Sequence, residues 1–200
     1  MPFDLPLRCR CGQVRGVARD VSPSLGLRLV CYCKDCQAFV HFLRRPDVLD
    51  VAGGTDILQM PPKRLKITAG ADALRSLRFS KKVLRWYVGC CRTPIANSAA
   101  SPWFPLIGLI HSFMDFEACG GSRNETLGPP LCRIHERSAV SSLPAAAPPA
   151  ASFGILTQRA SKVLGWWLRG FGRPNPVFDA RTGAPLSAPR LGTPEERAAL

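Results

Sequence analysis

Apolar and polar positions divide the 200-residue chain into a strand-patterned part and a helical tail. Residues 77–79 and 83–88 are apolar and aromatic runs on either side of Ser80, Lys81 and Lys82, which predicts a hairpin whose second strand leads into Cys90 and Cys91. Residues 14–18 and 25–30 lie on either side of a turn carrying Ser22, Pro23 and Ser24, and residues 56–60 form a further strand closed by Pro61 and Pro62. The longest apolar stretch, residues 102–116, is broken by Pro105, His111 and Asp115 and falls short of the roughly 20 residues of a membrane span. It is expected to form buried core.

Residues 138–152 are rich in Ser, Ala and Pro, a composition that predicts a linker or loosely packed loop. Beyond it Leu156, Ala160, Val163, Leu164, Trp167, Leu168 and Phe171 recur at helical spacing, and Gly170, Gly172 and Pro174 end the helix. Such a stripe suits a membrane surface or a partner, but its ordinary width predicts packing on the β part. Thr193, Pro194 and Glu196 have the spacing of a capping box, so a last short helix is expected.

A hydrophobic content of 46% argues against disorder, and a formal charge of +13 raises the question of an anionic partner such as nucleic acid. The arginines are spread singly rather than in one block, so the charge alone does not select that class.

The cysteines change the picture more. Cys9 and Cys11 form a C-x-C pair, Cys31, Cys33 and Cys36 a C-x-C-x-x-C run, and Cys90 and Cys91 are adjacent. Nine cysteines cannot all pair, the first residues lack the apolar run of a secretory signal, and Cys31 and Cys33 are too close for a relaxed disulfide. Metal ligation is therefore expected, with zinc as the ion suited to clustered thiolates. Cys9 and Cys11 point the same way on an extended segment and need further donors, for which Cys90 and Cys91 are the candidates. Cys31, Cys33 and Cys36 supply three ligands and leave a fourth position open. Arg8, Arg10 and Arg92 flank one set, and Lys34, Arg44 and Arg45 follow the other, where cations help keep thiols deprotonated. His41, the spaced pair Cys132 and His135, and Cys119 are read as ordinary packed or surface residues.

The C-x-C-G-x-V of Cys9 to Val14, the run at Cys31, Cys33 and Cys36, and the C-x-T-P of Cys91 to Pro94 occur in an order that resembles the glutathione-dependent formaldehyde-activating enzymes, a family that includes centromere protein V. The resemblance covers about residues 5–116. It implies a mainly β, Mss4-like zinc-binding fold with a helical C-terminal extension. It also implies a structural zinc site at Cys9 and Cys11 with the later cysteine pair, and thiol chemistry at Cys31, Cys33 and Cys36. The family's type reaction joins glutathione to formaldehyde and is classed with the carbon–sulfur lyases. In the third motif Val88 stands where the family has its first cysteine and Arg92 replaces glycine. After Cys36 a bulky run, Gln37 to Phe42, takes the place of small residues and glycine.

The expected organisation is a zinc-binding β domain over residues 5–135, a linker over 136–152 and an extension over 153–200. The expected protein is cytoplasmic and not membrane-bound, an enzyme acting on a glutathione-type thiol and a small carbonyl. The alternative is a non-catalytic zinc module for nucleic acid or another anionic partner.

Overall fold

The computed structural model describes residues 1–22 and 26–198, and within them the protein is mainly β. The elements in chain order are β1 (Phe3–Arg8), β2 (Arg15–Val21), β3 (Leu27–Cys31), α1 (Lys34–Phe42), β4 (Thr55–Met60), β5 (Leu65–Ala69), β6 (Leu74–Arg78), β7 (Val83–Val88), β8 (Pro94–Ala99), β9 (Ile107–Ile110), α2 (Arg123–Leu127), β10 (Cys132–Ile134), α3 (Phe153–Leu168), β11 (Arg190–Leu191) and α4 (Pro194–Ala198). They form a three-stranded sheet, β1-β2-β5, and an eight-stranded sheet in the order β10-β3-β4-β9-β8-β7-β6-β11. The pairs are antiparallel except at the two edges of the large sheet, where β10 joins β3 and β11 joins β6 in parallel.

The hairpin read from the sequence is present as β6 and β7, with Leu74 opposite Val88 and Leu77 opposite Arg85. β2 and β3, adjacent in sequence, belong to different sheets. Pro23 and Ser24 of the intervening turn lie outside the described residues.

Alternation along β7 sets the architecture. Leu84, Trp86 and Val88 point into a core shared with Leu5, Leu7 and Val14 of the small-sheet layer. The Trp86 indole N–H donates to Ser98 Oγ at 2.9 Å, so the ring is buried with its polar atom satisfied. Val83, Arg85 and Tyr87 take the opposite face. There α1 packs Phe39, Val40 and Leu43 onto Leu77 and Ile110.

α1 is the main departure from an all-β reading of residues 5–135. The knuckle-like spacing conceals it: the Cys33 carbonyl accepts from the backbone N–H groups of Cys36 (3.0 Å) and Gln37 (3.2 Å), so the cysteine run opens a helix. Of the bulky run after Cys36, Gln37, Phe39 and Val40 belong to that helix's buried face, while His41 is exposed.

Residues 138–152 lie along the β domain, with Val140 N–H donating to Ala52 O and Ala139 and Leu143 packed on Val30 and Tyr32. α3 begins where Ser152 Oγ accepts from Ile155 N–H. It docks through Ile155 and the buried Trp166, while Leu156 and Trp167 are 47% and 62% exposed. The stripe covers less than its width predicts, because the edge strand it meets, β10, has three residues. Of the apolar stretch 102–116, Ile107 to Ile110 are buried in β9, whereas Trp103 and Phe104 are exposed. The capping box at α4 is formed in both directions between Thr193 and Glu196. None of the described helices is long and apolar enough to cross a membrane.

Candidate metal centres

Cys31 ends β3, Cys33 precedes α1 and Cys36 lies in its first turn. This strand–turn–helix passage brings the three Sγ atoms within 4.8 Å of one another. Cys31 and Cys36 Sγ are 3.8 Å apart. Two thiolates bound to one zinc ion at about 2.3 Å and tetrahedral angles would be about 3.8 Å apart, so the donor set fits such an ion. The helix N-terminus adds partial positive charge that favours thiolates at this point.

The Arg85 guanidinium reaches the triad from the floor of the sheet. Its Nη1 lies 3.4 Å from Cys36 Sγ and 3.1 Å from Asn97 Oδ1, and its Nη2 lies 3.8 Å from Asp35. Asp35 is itself held by Arg197 of α4 at 2.6 Å. Hydrogen bonds with Cys31 and Cys33 hold the Cys36 thiol well below its usual range against the opposing effect of burial, and Arg85 adds to the lowering. Hydrogen bonding with Cys33 and Cys36, together with burial, pushes Cys31 up.

The second cluster joins Cys9, Cys11 and Cys91, again within 4.8 Å. Two tight turns present them. In the first, Gly12 N–H donates to Cys9 O and Val14 N–H donates to Cys9 Sγ at 3.2 Å. In the second, Arg92 N–H donates to Val88 O and Val88 N–H to Thr93 O. Arg10 N–H donates to Thr93 Oγ1 at 3.1 Å and ties the turns together. Burial raises the Cys91 thiol, but hydrogen bonds from the Thr93 side chain and backbone outweigh it and bring the thiol down to about 6. Burial pushes Cys9 up to about 11. Cys90 Sγ lies 3.5 Å from Cys11 but outside the three-sulfur group, and it bonds Gln13 Oε1 at 2.9 Å.

His41 is exposed and joins neither cluster. Cys132 is buried near Cys31, while His135 sits apart in a left-handed turn, and Cys119 packs at the edge of the main core. Of the flanking arginines, Arg8 pairs with Asp115 and Arg45 with Asp47. The cation at the Cys36 sulfur is Arg85, which the reading of flanking charges passes over. A charge in the middle of the strand run Val83–Val88 is the signal that marks it.

The fold and its two cysteine clusters define a mainly β protein able to hold metal ions at two places. The chain belongs to a family of unknown function, DUF6151, which it matches over residues 1–188. No curated protein matches it.

Proposed function

We propose that the protein is a zinc-dependent, thiol-handling enzyme of the carbon–sulfur lyase type, resembling S-(hydroxymethyl)glutathione synthase and acting in a reducing, cytoplasmic setting. Cys31, Cys33 and Cys36 hold the reactive zinc, and Cys9, Cys11 and Cys91, with Cys90 alongside, hold a structural one. The observation that carries this reading is the 3.8 Å separation of the Cys31 and Cys36 sulfurs beside a cavity of about 430 Å³ that both residues line.

Zinc bound by three thiolates supplies an open position where a substrate thiol is kept deprotonated. The chain's own residues do the rest. Three thiolates on a divalent ion leave one net negative charge, which the buried Arg85 offsets from 3.4 Å. Asp35 and Asn97 fix the guanidinium in place. In the overall reaction the thiol sulfur bonds to the carbonyl carbon and the thiol proton ends on the carbonyl oxygen, so no further reactant is required.

The test is formaldehyde adduct formation with 2-mercaptoethanol or glutathione, followed by exchange NMR on the zinc-loaded protein. Cys33→Ser is expected to abolish catalysis with the fold retained, and Cys31→Ser to lower metal content from about two equivalents to about one. An unchanged rate in the first variant, or unchanged metal in the second, overturns the reading.

One observation favours a second reading, a module for an anionic partner. A cavity of about 660 Å³ at the end of α1 is lined by Arg44, Arg75 and Arg92, none of which forms an ion pair among the described residues. Steeply salt-dependent nucleic-acid binding lost in Arg75→Ala, with no thiol effect, would select it.

A further inference from the structure

The cavity beside Cys31 and Cys36 is built on one face of the large sheet. Strand partners place Leu29 opposite Ile57, Gln59 opposite Gly108, Gly108 opposite Asn97, Asn97 opposite Arg85 and Ala99 opposite Val83. These residues alternate with those that fill the main core, so five neighbouring strands present a second surface. α1 covers one end of it. The other end is a trough floored by Leu29, Ile57, Val83 and Ala99 and walled by Leu106 and Ile134. Gly108 keeps the middle open: a Cβ there would come 2.8 Å from Ile57 Cγ2.

The polar groups of the trough are few and unequal. Arg85 is committed to Cys36, Asn97 and Asp35. Lys82 is exposed at the rim. Gln59 is 92% buried, and its Oε1 has no hydrogen-bond partner. Glutathione would bring two carboxylates and an ammonium to a surface that offers one cation at its rim. Buried charges without partners oppose binding strongly.

We propose that the substrate of the triad is a thiol with an uncharged, mainly apolar arm, and that the arm lies in this trough. The proposal rests on the thiol-handling reading above and names the class of thiol. Burial of the arm against the aliphatic floor supplies affinity, and the scarcity of free polar groups in the trough selects against charged arms.

The test uses cobalt-substituted protein, whose visible spectrum reports thiol ligation, together with calorimetry. The probes are 2-mercaptoethanol, glutathione and 6-mercaptohexanol. 6-Mercaptohexanol is expected to bind at least about ten-fold more tightly than glutathione and to perturb the cobalt bands. Ala99→Phe, which fills the trough, is expected to erase that preference while the 2-mercaptoethanol response persists. Val83→Phe, at the partly exposed side of the trough, serves the same purpose should Ala99→Phe not fold. A response to 2-mercaptoethanol with glutathione binding as tightly as the alkyl thiol overturns this proposal and leaves the thiol-handling reading standing. Cobalt bands that no thiol perturbs overturn that reading and this proposal with it.

Discussion

The Arg85 guanidinium and the Cys36 sulfur lie 3.4 Å apart in the protein interior, brought together by the middle of β7 and the first turn of α1. A buried cation this close to a thiolate cluster is compensated on both sides, by the sulfur and by Asp35. The contact joins the sheet to the helix that carries the cysteines.

Arg85→Met should therefore weaken metal binding at Cys31, Cys33 and Cys36 by roughly 10- to 100-fold, the usual effect of losing a group that supports metal ligands. The cluster of Cys9, Cys11 and Cys91 should be unaffected. Competition with a chromogenic chelator, which resolves the two classes of site, checks both statements. Equal weakening at both clusters would mean that the variant acts through general loss of structure.

What could be read in advance follows from how local each feature is. The sulfurs of Cys31, Cys33 and Cys36 come together within six residues, so spacing alone anticipates the cluster. Arg85 and the trough require β3, β4, β9, β8 and β7 to lie side by side, and period-2 alternation does not specify strand order. The same limit concealed the separation of β2 and β3 into different sheets. The choice of Cys91 over Cys90 is made inside the turn between β7 and β8, where adjacent side chains take directions that sequence spacing does not determine.

That turn yields a stability prediction. Arg92 occupies the left-handed region, where a residue with a Cβ is strained by about 1–2 kcal/mol, and its backbone N–H is fixed to Val88 O. Arg92→Gly relieves the strain but adds freedom to the unfolded chain, an opposing effect of about 0.4–1 kcal/mol. The net expectation is stabilisation by about 0.5 kcal/mol, read as a higher denaturation midpoint at unchanged m-value. Arg92→Val, with a β-branched side chain in the same region, should move the midpoint the other way.

The adjacent tryptophans of α3 offer a contrast within one helical turn. Trp166 is 5% exposed and Trp167 62%. Trp166→Ala should cost about 3–5 kcal/mol of the stability that holds α3 against the β domain, whereas Trp167→Ala should stay within about 0.5 kcal/mol. Hydrogen exchange over residues 153–168 localises the effect. Comparable losses in the two variants would show that Trp167 is covered in solution.

His111 predicts an acid-sensitive window. Burial, reinforced by repulsion from Arg123, lowers its pKa from 6.5 to about 4, while Nδ1 lies 3.4 Å from Asp56 O. Below about pH 6.5 the unfolded chain binds a proton that the folded chain does not accept until about pH 4. Stability should therefore be fully present above pH 6.5 and decline as the pH falls towards 4, by on the order of 2–3 kcal/mol, with no further loss from this group below that. His111→Gln removes the titration. Other acid-sensitive groups, including the cysteine clusters, act equally in both proteins, so the difference between wild type and variant isolates the histidine. Urea denaturation of the pair at pH 7 and pH 4.5 should give a stability difference that shifts in favour of the variant at the lower pH. A difference that is the same at both values would place His111 in a setting where it accepts its proton as readily folded as unfolded.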